Sequence, residues 1–224
     1  GASFLKIYEM VTPEVFAAII EEAGARNLPI DGHVPLSMRA RDVAPRVQSL
    51  EHLRNYEMDC VEDPELWLAT RQAELANVAN EPGNVLRSRL HTLQRLTAIT
   101  NEDPLVCAET TEALKATITV PTLRMNSMDL YVPFDRDDFD SAMDLIPASV
   151  SEEWRSARDA LAASEEPVDT TFAEWSLRRT GELHAAGAPI AAGTDAPIGW
   201  SIPGYSLHTE LEQYVEVGMT PLEA

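Results

Sequence analysis

The chain predicts an α/β fold with parallel strands. Two observations carry this. Short apolar or β-branched runs alternate with stretches of helical periodicity, joined by short connections. The polar residues best suited to chemistry sit in or at the C-terminal ends of those runs, the edge at which parallel α/β folds assemble their sites.

Each element follows in order. Residues 3–8 form an apolar strand with Lys6 inside it. Thr12-Pro13-Glu14 supplies an N-cap, a proline at the first helical position and an acid in the first turn. Val15, Phe16, Ile19, Ile20 and Ala23 follow at helical spacing, so this helix runs to about Gly24. Residues 28–35 give the next strand and its exit loop, 37–44 a short helix, and 47–53 a third strand. The rhythm then changes. Segments 64–80, 84–100 and 103–115 are helical with no strand between them, and Val85, Leu86, Leu90, Leu93, Leu96 and Ile99 share one stripe of the middle helix. Residues 62–115 are therefore expected to be a helical insertion that covers the mouth of the fold or makes a homo-oligomer contact. A β-branched strand returns at 116–123. Residues 125–150 are rich in Asp, Met and Pro, with an acid-rich run at 134–140, and read as a lid-like loop with some short helix. Helices are expected at 151–163 and 170–186, a last strand at 188–195, and a helix at 205–217 closed by Gly218.

Composition narrows the function. The 224 residues are 45% hydrophobic and 24% charged, the balance of a soluble globular protein with a sizeable core. Seventeen Lys and Arg face 37 Asp and Glu, a formal charge of −20. Such a surface argues against nucleic acid, whose phosphates need a cationic footprint, and against anionic lipid. No apolar run approaches the ~20 residues that span a bilayer, and no secretory signal opens the chain. Cys60 and Cys107 lie too far apart in sequence to suggest a disulfide framework or a CxxC metal site, so a reducing, cytoplasmic setting is expected. Nearly all cations are arginine; lysine occurs only at positions 6 and 115. Both ends read as cut from something longer.

Four residues share a strand-end position: Lys6, His33, His52 and Asp195. Two imidazoles and a carboxylate suit a divalent cation such as zinc. A lysine in an apolar strand calls for pairing or modification, because burying an ammonium is costly. His91 and His184 fit surface roles, and His208 a place at the pocket rim.

Phe4-Leu5-Lys6-Ile7-Tyr8, Asp31-Gly32-His33-Val34-Pro35, Ser49-Leu50-Glu51-His52-Leu53, Thr119-Val120-Pro121-Thr122-Leu123 and Ala192-Gly193-Thr194-Asp195-Ala196-Pro197 occur in that order. So does the tail from Gly204-Tyr205-Ser206-Leu207-His208-Thr209-Glu210-Leu211 to Val217-Gly218-Met219-Thr220-Pro221. This set resembles the amidohydrolase superfamily, in the branch of imidazolonepropionase-like and Xaa-Pro-dipeptidase-like enzymes. The resemblance implies a (β/α)₈ TIM barrel of the metal-dependent hydrolase type. Residues 1–224 would form a partial barrel domain holding strands four to eight.

On that match Lys6 lies on the fourth strand, His33 on the fifth, His52 on the sixth and Asp195 on the eighth. Lys6, His33, His52 and Asp195 become metal ligands, with Lys6 carboxylated and Asp195 the general base. The implied cofactor is one or two divalent ions, zinc foremost. The implied reaction is hydrolysis of a carbon–nitrogen bond in a small-molecule amide, cyclic amide or dipeptide through a metal-activated hydroxide. The family's first-strand His-x-His pair has no counterpart in this sequence. The alternative is therefore a catalytically incomplete barrel fragment with a structural or vestigial half-site.

Overall fold

A computed structural model describes residues 1–77, 81–131 and 138–224. The last positions of the helix expected at 64–80, and part of the acid-rich run at 134–140, lie outside the described residues. The chain divides into two compact units: 1–120 with 183–191, and 121–182 with 192–224.

The first unit is built on a parallel sheet of β1 (Leu5–Ile7), β2 (Ile30–Gly32), β3 (Ser49–Glu51) and β4 (Ile118–Val120), in that spatial order. Helix α1 (Pro13–Ala25) joins β1 to β2, and the short α2 (Ala40–Val43) lies between β2 and β3. Thr12 caps α1, its hydroxyl accepting from the Val15 amide at 3.3 Å. The expected last strand is reduced to a single parallel bridge of Ile190 beside Thr119. The Thr119 amide donates to Pro189 and its carbonyl accepts from Ala191. This segment extends the parallel order past β4 by one position.

The two faces of the sheet differ. Ile7, Ile30, Leu50 and Thr119 are buried, whereas Lys6, Asp31, Ser49 and Glu51 stay partly open. Register fixes which strand ends meet. Lys6 stands opposite Asp31, and Asp31 opposite Ser49. Two residues further on, Tyr8, His33 and Glu51 therefore share one row. Gly32 sets the spacing of β1 and β2. Its φ is +139°, and a Cβ there would collide with the Ile7 carbonyl oxygen.

Between β3 and β4 lie α3 (Pro64–Ala76), α4 (Gly83–Thr100) and α5 (Pro104–Leu114). The apolar stripe expected on α4 is corrected. Leu86 and Leu90 are buried, in a cluster with Leu36 and Leu75, but Val85, Leu93 and Leu96 are exposed. The inward face is completed by His91, Gln94 and Ala98. It is polar because it packs against buried charge. Arg71 on α3 donates to Gln94 and Asn55, each at 2.6 Å. Arg39 pairs with Asp59 at 2.9 Å and also with Glu65. At Arg39 and Arg71 guanidinium holds its charge and several fixed bonds where a buried ammonium would tend to lose its proton.

The expectation of unpaired cysteines is also corrected. Cys60 and Cys107 form a disulfide with their Cα atoms 4.1 Å apart. Their 47-residue separation hid the contact, which the antiparallel bridge of Val61 with Glu102 creates by returning α5 to the exit of β3. No helix among the described residues is long and apolar enough to cross a membrane.

The second unit is helical: α6 (Leu123–Asn126), α7 (Met128–Tyr131), α8 (Phe139–Met143), α9 (Ala148–Ala162), most of α10 (Thr171–Ala185) and α11 (Tyr205–Glu216). Phe139, Ala142, Met143 and Ile202 form its core, covered by Trp154, Trp200 and Tyr205. Glu210 of α11 is buried and accepts from the amides of Leu123 and Arg124 at 2.9 and 2.6 Å, closing the start of α6. Burial pushes its carboxyl up to about 7, against the lowering effect of those two bonds.

Candidate metal centre

His33 follows β2 directly, and His52 follows β3. Both are buried, at 2% and 5% exposure, and their rings meet edge to face at 4.9 Å between centroids. His52 lies in the left-handed region with φ +63°, and its amide donates to the Val120 carbonyl at 2.7 Å. Leu53 and Asn55 share that conformation. Residues held this way cost about 1–3 kcal/mol each, and such strain concentrates at functional sites. Here it turns the chain sharply out of β3 with His52 facing His33.

Glu51 completes the group. Its Oε2 lies 3.6 Å from Nε2 of both histidines, and one ligand atom from each of His33, Glu51 and His52 falls within 4.8 Å of the others. The sequence reading passed over Glu51, although strand register places it beside His33. Lys6 reaches the same spot: its Nζ is 2.6 Å from Glu51 Oε2. Lys6 is not buried, however. Its side chain is 44% exposed, because β1 is an edge of the described sheet and nothing there flanks it. Its charge is thus accommodated by Glu51 and solvent. Asp195 belongs to the second unit, where it adopts φ +51° and its carbonyl accepts from the Ile198 amide at 3.0 Å.

A shell of buried charge lies behind His33. Glu9, just beyond β1, is fully buried. It accepts from His33 Nδ1 at 2.9 Å, from His91 Nε2 at 2.6 Å, and from Arg87 at 2.8 and 3.1 Å. Burial alone would raise the Glu9 pKa, but these bonds outweigh it and hold the carboxyl well below the usual carboxylate range. His91 was expected at the surface; it is 7% exposed and faces inward from α4. Its Nδ1 accepts from Arg95 at 2.8 Å, and burial pulls its pKa down to about 4. Tyr8 packs on His33 at 4.5 Å between centroids, with the Arg87 guanidinium over the Tyr8 ring. His184 is partly buried at the end of α10, and His208 is exposed on α11.

The donor set fits a divalent ion. His33 Nε2 is buried without a hydrogen-bond partner among the described residues, whereas Glu51 Oε2, also buried, is ion-paired with Lys6. Buried polar atoms are rarely left so, and a ligand missing from the coordinates is one recognised cause. Burial first, then the proximity of His33, Arg54 and Lys6, pulls the His52 pKa down to about 3, so its imidazole is neutral at neutral pH, the form in which a histidine binds metal. A second group, Cys60, Glu102 and Cys107, also comes within ligand distance, but its two sulfurs are joined in the disulfide.

The fold is that of an α/β protein built on a parallel sheet. A solved structure of bottromycin amidohydrolase is similar to this chain, with a TM-score of 0.63 and 21% identity over 98% of it. The chain spans 43% of the length of that protein. No protein-family model and no curated protein matches the sequence.

Proposed function

We propose that this chain carries part of the metal site of a metal-dependent hydrolase acting on carbon–nitrogen bonds, and that its sheet is the strand-four-to-eight arc of a (β/α)₈ barrel. The observation that carries the reading is the convergence of His33, Glu51 and His52 at adjacent parallel strand ends, with His33 Nε2 buried and without a hydrogen-bond partner among the described residues. The fold likeness to an amidohydrolase supports it.

In this reading His33 and His52 hold a divalent ion through neutral imidazoles, with zinc the expected ion. Lys6 and Glu51 would supply the neighbouring ligand positions, Lys6 as an anionic ligand once its neutral amine adds CO₂ and releases a proton to solvent. When bound, the ion supplies Lewis acidity and lowers the pKa of water. Asp195 accepts the proton and passes it to the leaving nitrogen. The substrate is a small amide, cyclic amide or dipeptide, and the helices at 62–115 shape access to the site.

Hydrolysis of a panel of dipeptides and cyclic amides, with and without Zn²⁺, tests this. Zinc-dependent turnover, lost in His33→Ala and His52→Ala and reduced about 10²–10⁴-fold in Asp195→Asn, is expected. A second reading is a half-site that is catalytically incomplete. It predicts zinc binding without turnover of any substrate in the panel.

A further inference from the structure

Among the buried charges, one group has a geometry that its structural role does not exhaust. Glu9 is fully buried 24 residues before His33 and 82 before His91, and its carboxylate is the meeting point of both rings. One oxygen takes His33 Nδ1 and an Arg87 nitrogen; the other takes His91 Nε2 and the second Arg87 contact. Arg54 lies 3.8 Å from the first oxygen. An ionised carboxylate only accepts hydrogen bonds. Whatever faces it must therefore donate, so a His33 ring that holds a single proton holds it on Nδ1. The lone pair is then on Nε2, the atom that is buried, unpaired and turned toward Glu51 and His52. His91 is set in the same way: Nε2 donates to Glu9 while Nδ1 accepts from Arg95.

We propose that Glu9 is a positioning residue for the metal centre. Held by Arg87 and His91 of α4, it fixes His33 as the Nδ1–H tautomer and presents Nε2 to the ion. The inference rests on the metal-site reading above and extends it. The helices between β3 and β4 then do more than cover the sheet, because α4 supplies both clamps on the carboxylate that orients a ligand from β2. Histidines that bind metal through one nitrogen commonly donate the other to such a carboxylate, and loss of that partner weakens metal binding about 10–100-fold.

The test is made on the metal-free chain at about pH 8, above the ordinary imidazole range. Long-range ¹H–¹⁵N spectra of labelled imidazoles report the tautomer of His33, and chelator competition reports Zn²⁺ affinity. The wild type is expected to show His33 as Nδ1–H. Glu9→Gln, which keeps size but can turn a donor toward Nδ1, is expected to mix the tautomers and weaken Zn²⁺ binding about 10–100-fold, with a normal circular dichroism spectrum. A wild-type His33 in the Nε2–H form overturns the proposal, even if Glu9→Gln fails to fold. So does a folded Glu9→Gln with unchanged tautomer and affinity. A wild type that holds the Nδ1–H form, with tautomers mixed in Glu9→Gln, yet binds no Zn²⁺ supports the assignment to Glu9 and counts against the metal-site reading alone.

Discussion

Gly32 and His91 show how single positions decide this site. Gly32 immediately precedes His33, and its backbone runs against Ile7 of β1 with φ +139°. A methyl group there meets a backbone oxygen, which cannot rotate away, so strands must separate. Gly32→Ala is expected to cost at least about 2–3 kcal/mol, read as a lower urea midpoint, and to weaken Zn²⁺ binding as His33 shifts. An unchanged midpoint would contradict the close approach. His91 makes a pH prediction. Its folded pKa is lowered to about 4 from an ordinary 6.5. Above pH 6.5 the ring is neutral in both states and contributes nothing. Between 6.5 and about 4 the unfolded ring takes a proton that the folded ring refuses. Stability therefore falls as the pH falls through this window, by up to about 1.4 kcal/mol per unit from this group. His91→Gln, which keeps a donor for Glu9, is expected to flatten the slope of urea midpoint against pH there.

At the scale of elements, local signals were readable and distant partners were not. The strands at 5–7, 30–32, 49–51 and 118–120 fall inside the apolar runs read from the sequence, because burial of alternate residues is a local pattern. The capping signal at Thr12-Pro13 placed the start of α1, since Pro at the first helical position and a preceding Thr act within one turn; α3 and α5 start the same way, with Asp63 and Asp103 as caps before a proline. Lys6, His33 and His52 were legible because they end those strands. Glu9, His91 and the disulfide were not, since each depends on a partner tens of residues away. The α4 stripe failed for the same reason. Hydrophobicity alone selects Leu93 and Leu96, whereas the buried charge around Glu9 selects His91 and Gln94. The observed facing predicts a sharp contrast. Leu86→Ala or Leu90→Ala should each cost about 2–5 kcal/mol, the range for a buried leucine. Leu93→Gln and Leu96→Gln should stay within about 0.5 kcal/mol. Equal costs in urea denaturation would reverse the assigned face.

For the whole molecule, a net charge of −20 coexists with a strand-end region in which acids and bases are paired. Arg87 pairs with Glu9 and Lys6 with Glu51, and Arg54 lies 3.8 Å from Glu9. The central claim is that the strand-end histidines bind the ion. X-ray absorption of the zinc-loaded chain tests it most directly. The account predicts nitrogen and oxygen neighbours at ~2.0–2.2 Å with the scattering signature of two imidazoles, reduced to one in His33→Ala. A shell of sulfur at ~2.3 Å, placing zinc on Cys60 and Cys107, or failure of the wild type to retain zinc, would contradict it.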